Sequence, residues 1–265
     1  MRALVVGVLC AVAMVTGAQA AIKEEPVTYS DGQTTMKGFL VYDDAVTGKR
    51  PGIIMVHEWW GITPHIHNEA KKFAEQGYTA LIADMYGDAK TADNPKDAGA
   101  LAGGVMKDPA AMQSRFKAAQ ALLGKHATVN PQKIGAVGYC FGGAVVLNMA
   151  RSGLDLKAVA SFHGALGTQT PAQPGKVKAK IRVFTGADDK MIPPAQVAAF
   201  KEEMARAGVD FQVTEYPGAM HAFTNPDADA LGKKFDMPIA YNATADQDSW
   251  QQATAFLKAT LMPAK

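Results

Sequence analysis

Ile134-Gly135-Ala136-Val137-Gly138-Tyr139-Cys140-Phe141-Gly142-Gly143 is an apolar run that ends in a glycine-rich corner around a cysteine. Its first half, short and apolar, is the pattern of a buried strand, and Phe141 to Arg151 reads as a helix. G-x-C-x-G between a strand and a helix is the nucleophile-elbow pattern, with cysteine in the serine position. A sharp, strained turn lifts the reactive atom above the sheet. Glycines flank it because side chains there would collide with the adjacent strand and helix. The helix that follows points its N-terminus at the sulfur, which favours thiolate.

Outward from this corner, β-rich runs alternate with helical patterns. Strands are expected at Lys37–Tyr42, Gly52–Val56, Thr79–Ala83, Ile134–Gly138, Ala158–Phe162, Ile181–Gly186 and Phe211–Tyr216. Helices are expected at Asn68–Gln76, stopped by Gly77, and at Ala110–Leu123, Phe141–Arg151, Ala195–Ala207 and Ser249–Leu261. Such alternation argues for an α/β fold, a mostly parallel sheet covered by helices on both faces. No repeat or linker divides residues 21–265, which read as one domain.

In open α/β sheets, ligands sit beyond the carboxyl ends of the strands. Four segments that follow predicted strands carry the reactive side chains. These are His57-Glu58-Trp59-Trp60-Gly61, Gly138-Tyr139-Cys140-Phe141-Gly142, Gly186-Ala187-Asp188-Asp189 and Gly218-Ala219-Met220-His221. A cysteine nucleophile needs a base both to pair with its thiolate and to activate water afterwards. The chain order nucleophile, acid, histidine is met by Cys140, then Asp188 or Asp189, then His221. The aspartate would fix the imidazole tautomer and stabilise the imidazolium. Spacing leaves the two aspartates open. His163, after its own strand, either lines the pocket or satisfies a backbone group. His65-x-His67 has no third ligand at convincing spacing, so a solvated helix start is expected there rather than a metal site.

Residues 1–20 read as a cleaved signal peptide: Arg2, an apolar stretch from Ala3 to Gly17, and the small-x-small pattern Ala18-Gln19-Ala20. The protein is therefore expected to be exported, to the periplasm or beyond, with no stable membrane insertion once the leader is removed. Removing Arg2 leaves 26 basic and 25 acidic residues. No basic tract appears, so nucleic acid is not an expected partner. With 48% hydrophobic and 20% charged residues, the chain can bury a core. Cys10 falls inside the leader, which leaves Cys140 as the one cysteine of the mature chain, without a disulfide partner.

Together the landmarks resemble the dienelactone hydrolase (carboxymethylenebutenolidase) family from about Gly52 to the C-terminus. They are His57-Glu58-Trp59-Trp60-Gly61, Ala83-Asp84-Met85-Tyr86, Gly138-Tyr139-Cys140-Phe141-Gly142-Gly143, Gly186-x-x-Asp189 with Pro193, and His221-x-Phe223. The resemblance implies an α/β-hydrolase fold, an ester or lactone substrate, no cofactor, and a Cys140–His221–Asp189 triad, the aspartate being chosen by its distance from Pro193. It also implies that Glu58 contacts the resting thiol and keeps it protonated until substrate displaces the carboxylate. The oxyanion hole is expected to be the backbone N–H groups of Phe141 and Trp59. Trp60, Tyr86, His163 and Phe223 are expected around the substrate.

Two departures bear on specificity. The family binds its substrate carboxylate with two arginines, and the matching positions here are Asp88 and Asn225. Neither replaces a bidentate guanidinium. The hydrolytic chemistry is expected to carry over, with an altered, uncharged substrate. A thioesterase would use the same machinery, and a thiol-redox protein is the competing class, though it would lack a resolving cysteine.

Overall fold

The computed structural model describes residues 22–263, so the signal-peptide expectation lies outside the described residues. The strands are β1 (Ile22–Ser30), β2 (Thr35–Asp43), β3 (Arg50–Val56), β4 (Thr79–Ala83), β5 (Val129–Tyr139), β6 (Ala158–Phe162), β7 (Lys180–Gly186) and β8 (Phe211–Tyr216). The helices are α1 (Pro64–Glu75), α2 (Pro95–Met106), α3 (Pro109–Lys125), α4 (Phe141–Arg151), α5 (Pro194–Arg206), α6 (Ala228–Phe235) and α7 (Ala243–Leu261). One eight-stranded sheet has the order β1-β2-β4-β3-β5-β6-β7-β8. β1 and β2 are antiparallel to their neighbours, while the other pairs run parallel.

The central strands are apolar on both faces because both are covered. Every residue of β3, β4 and β6 is buried. Separate clusters fill the two sides, with Phe116, Val145 and Phe200 on one and Phe73, Phe162 and Phe256 on the other. Parallel register brings the strand ends to one edge: Val56 pairs with Gly138, Tyr139 with Phe162, Phe162 with Phe184, and Gly186 with Tyr216. The four reactive segments therefore leave the sheet side by side.

Three elements escape the sequence periodicities. β1 carries Lys23, Glu24, Glu25 and Pro26, a composition that only an edge strand tolerates. α2 is rich in glycine and alanine and buries only Ala98 and Val105. α6 is an eight-residue helix in a charged stretch. α7 begins well before Ser249 because Asn242 caps it, its side chain accepting the Ala245 N–H. Among the described residues, no helix is long and apolar enough to cross a membrane.

Candidate active site

β5 hands over to α4 in a single residue. Cys140 sits at φ 53°, ψ −115°, a region that side chains rarely enter and that costs roughly 1–3 kcal/mol. The flanking glycines allow it. A Cβ on Gly138 would lie 2.1 Å from the Gly142 carbonyl oxygen, and one on Gly142 would lie 2.2 Å from that of Val56. The Cys140 N–H points down, shared between Phe162 O at 3.0 Å and His163 Nδ1 at 3.1 Å. The sulfur projects the other way, at the N-terminus of α4.

There it meets the histidine. His221 Nε2 lies 3.1 Å from Cys140 Sγ, and His221 Nδ1 lies 2.8 Å from Asp189 Oδ2. The other Asp189 oxygen accepts the Met191 N–H at 2.8 Å, so the carboxylate cannot swing. Asp189 is buried and Asp188 exposed, and it is Asp189 that contacts His221. Burial works against charge on His221, but the Cys140 sulfur and the Asp189 carboxylate outweigh it and push the imidazole up to about 10. The imidazole is thus favoured in its protonated form. Phe141 opens α4, so its N–H is free of the helix ladder. Among the described residues, neither it nor the Trp59 N–H donates to a protein acceptor.

The sulfur and imidazole form part of the floor of a cavity of about 260 Å³. Its walls are apolar: Trp59 and Trp60 on one side, Leu231, Met237, Pro238 and Ile239 on the other. The second wall is tied to the loop that carries His221, since the Ala240 N–H donates to His221 O at 3.2 Å. A larger cavity, about 610 Å³, lies between α3, α4 and the segment near Pro171, far from the triad. Its buried polar side chains are already paired: Arg151 donates to Asn148 Oδ1 at 3.3 Å and forms an ion pair at 2.9 Å with Glu203, outside the lining. Chemistry belongs to the smaller cavity.

The model of the dienelactone hydrolase family matches residues 36–261. The chain belongs to the dienelactone hydrolase family. Members of this family hydrolyse esters or lactones, and so does this chain. Similar proteins include "Protein usf" of Aquifex pyrophilus, 31% identical over 78% of this chain and 87% of its own length. A Synechocystis protein named "Putative carboxymethylenebutenolidase" is 29% identical over 91% and 98%. Among solved structures, the dienelactone hydrolase-like promiscuous phosphotriesterase P91, from metagenomic libraries, is 32% identical. It superimposes with a TM-score of 0.83 over 91% of this chain and 99% of its own.

Within this family site, several residues expected around the substrate lie elsewhere. Asp88 is at the surface, 59% exposed, and pairs with Lys37 at 3.2 Å. Tyr86 is buried behind the pocket wall, donating its hydroxyl to Trp59 O at 2.9 Å and packing on His57 and Phe141. Phe223 faces the core, against His163 and Tyr216. His163 lies beneath the elbow, not in the cavity. Of the expected wall residues, Trp60 and Asn225 line the cavity, as does Trp59. His65 is not solvated: it is buried edge-on to Tyr139, while His67 pairs with Glu24.

Glu58 is buried in the same cavity but makes no hydrogen bond to the sulfur. Its Oε2 accepts from Asn225 Nδ2 at 2.7 Å. Burial raises the Glu58 carboxyl; His65 and the Asn225 amide pull it down less strongly. The carboxylate is thus held by the Asn225 amide, while the sulfur is partnered by the His221 imidazole. Leu231, Met237, Pro238 and Ile239 escape sequence reading because apolar residues near a short helix look like ordinary core.

Proposed function

We propose that this hydrolase uses Cys140 as nucleophile on small, uncharged esters or lactones, through an acyl-thioester. The reading rests on one observation above all: the chain of contacts from sulfur to imidazole to buried carboxylate, at 3.1 and 2.8 Å, on the floor of an apolar cavity. The thiolate attacks the carbonyl carbon, and the developing oxyanion is received by the Phe141 and Trp59 N–H groups. Each such donor is typically worth about 3 kcal/mol in the transition state. His221 gives its proton to the departing alcohol. Acylation removes the sulfur's charge, the largest influence holding the imidazole protonated. His221 then becomes a competent base, takes a proton from water, and the hydroxide attacks the thioester. Asp189 stays ionised throughout.

This sequence of events makes a spectroscopic prediction. In the free enzyme, the His221 ring should remain protonated until about pH 10. Once Cys140 is carbamidomethylated, the same ring should titrate at lower pH when followed by NMR. An unchanged midpoint would disconnect the imidazole from the sulfur.

Specificity follows from what the cavity holds. Among the described residues, no lysine or arginine lines it, and Glu58 is its one carboxylate. A carboxylate-bearing substrate would be desolvated there with no unpaired cation to meet it, since His221 already pairs with the sulfur and Asp189, at a cost of several kcal/mol. The kcat/KM for a neutral nitrophenyl ester should therefore exceed that of its carboxylate-bearing analogue by at least about tenfold. Equal values would remove the specificity claim and leave the mechanism standing. Neutral phosphotriesters suit the same apolar cavity, and P91 acts on that class. Release of nitrophenol from diethyl nitrophenyl phosphate tests that second reading. The protein is further proposed to act after export, with the mature N-terminus at Ala21. N-terminal sequencing of protein from the host envelope checks this, and an intact Met1 would contradict it.

A further inference from the structure

His163 takes no part in the chemistry above, yet it occupies an unusual place. It is completely buried, directly after β6, in a left-handed conformation at φ 40°. The next residue, Gly164, lies directly under the start of α4; a Cβ there would come 2.7 Å from Gly143 Cα. Both ring nitrogens are engaged. Nδ1 lies 3.1 Å from the Cys140 nitrogen, which must be the donor, so Nδ1 is bare. Nε2 then carries the hydrogen and donates it to Thr224 Oγ1 at 2.9 Å. Thr224 is itself buried, in the turn that carries His221, where the Asn225 N–H bonds Ala222 O at 2.9 Å. The ring is neutral. Burial first, then the neighbouring His221 and His65, hold it well below the ordinary histidine range. The aromatic partners around it are Tyr139, His221 and Phe223.

We propose that His163 is a positioning residue, a neutral imidazole clamp that ties the strained nucleophile corner to the turn carrying His221 and so sets the sulfur–imidazole contact. This rests on the cysteine-hydrolase reading. Cys140 and His221 come from elements far apart in the chain, and His163 bonds the Cys140 backbone N–H on one side and the Thr224 hydroxyl, three residues from His221, on the other. Its effect falls on the alignment of Sγ with Nε2. It is not itself a lining residue of the cavity, so substrate binding is spared.

The clamp can be opened at either end. Thr224→Val removes the hydroxyl at constant shape. His163→Asn keeps an acceptor near the Nδ1 position for the Cys140 N–H, tolerates the positive φ, and cannot reach Thr224. Each should lower kcat by roughly tenfold with KM unchanged, and lower the rate of iodoacetamide labelling of Cys140 at neutral pH in parallel. The double variant should lose no more than either single one, because both remove the same bond. His163→Leu, which also deletes the acceptor for Cys140, should lose more; should it fail to fold, the other two variants decide. Folded Thr224→Val and His163→Asn proteins with wild-type kcat and labelling rates overturn the clamp, as do losses that multiply in the double variant. If the cysteine reading itself were wrong, the wild-type enzyme would keep its activity after complete labelling, a different result from either.

Discussion

Cys140→Ala is expected to lower kcat for a nitrophenyl ester by about four orders of magnitude or more, leaving only the residual catalysis of the oxyanion donors and the cavity. The reason is local. The sulfur is the one nucleophile at the elbow, and its partner His221 owes much of its basicity to the sulfur's charge. His221→Ala should cost a similar amount, and the pair together little beyond either alone, since the groups act as a unit. Cys140→Ser should not restore activity. Serine offers no pre-formed anion, and the ion pair that poises the imidazole would be gone. Steady-state rates on active-site-titrated protein check these values. A Cys140→Ala enzyme within tenfold of wild type would remove the sulfur from the mechanism.

Gly142→Ala is expected to cost more than about 4 kcal/mol of stability, enough to leave little folded protein. The new Cβ would sit 2.2 Å from Val56 O and 2.7 Å from His57 O, both backbone atoms of the central sheet and its exit. No rotamer change relieves that overlap, and moving either chain breaks the β3–β5 register that aligns the elbow. Gly103→Ala in α2 is the matched control. A Cβ there meets nothing within 4 Å, so this change should stabilise by about 0.5–1 kcal/mol. Urea unfolding of both variants measures the contrast; a Gly142→Ala protein as stable as wild type would mean the corner is not packed as described.

The sequence was most legible where one physical demand dominates. Buried parallel strands such as Thr79–Ala83 and Ala158–Phe162 have no charged positions to confuse their pattern, and both are readable to the residue. The corner at Cys140 was readable because steric crowding leaves glycine as the only choice around it. Pocket walls obey no such rule. Phe223 and Ile239 are both apolar and both follow His221, yet the first packs into the core and the second lines the cavity. Asp88 illustrates the other failure. Its position in a matched motif suggested the pocket, but the left-handed turn at Asp88 and Ala89 carries the side chain out to Lys37. His163 is ambiguous in sequence because its contacts, the Cys140 N–H and the Thr224 hydroxyl, are distant along the chain.

The central claim is that the sulfur of Cys140 carries the acyl group during turnover. Acid quenching of the enzyme in the steady state with nitrophenyl acetate, followed by peptide mass spectrometry, tests it directly. The account predicts one acetyl group on the peptide containing Cys140, labile to hydroxylamine as a thioester is. An acetyl group on any other residue, with Cys140 still free to react with iodoacetamide, would contradict it.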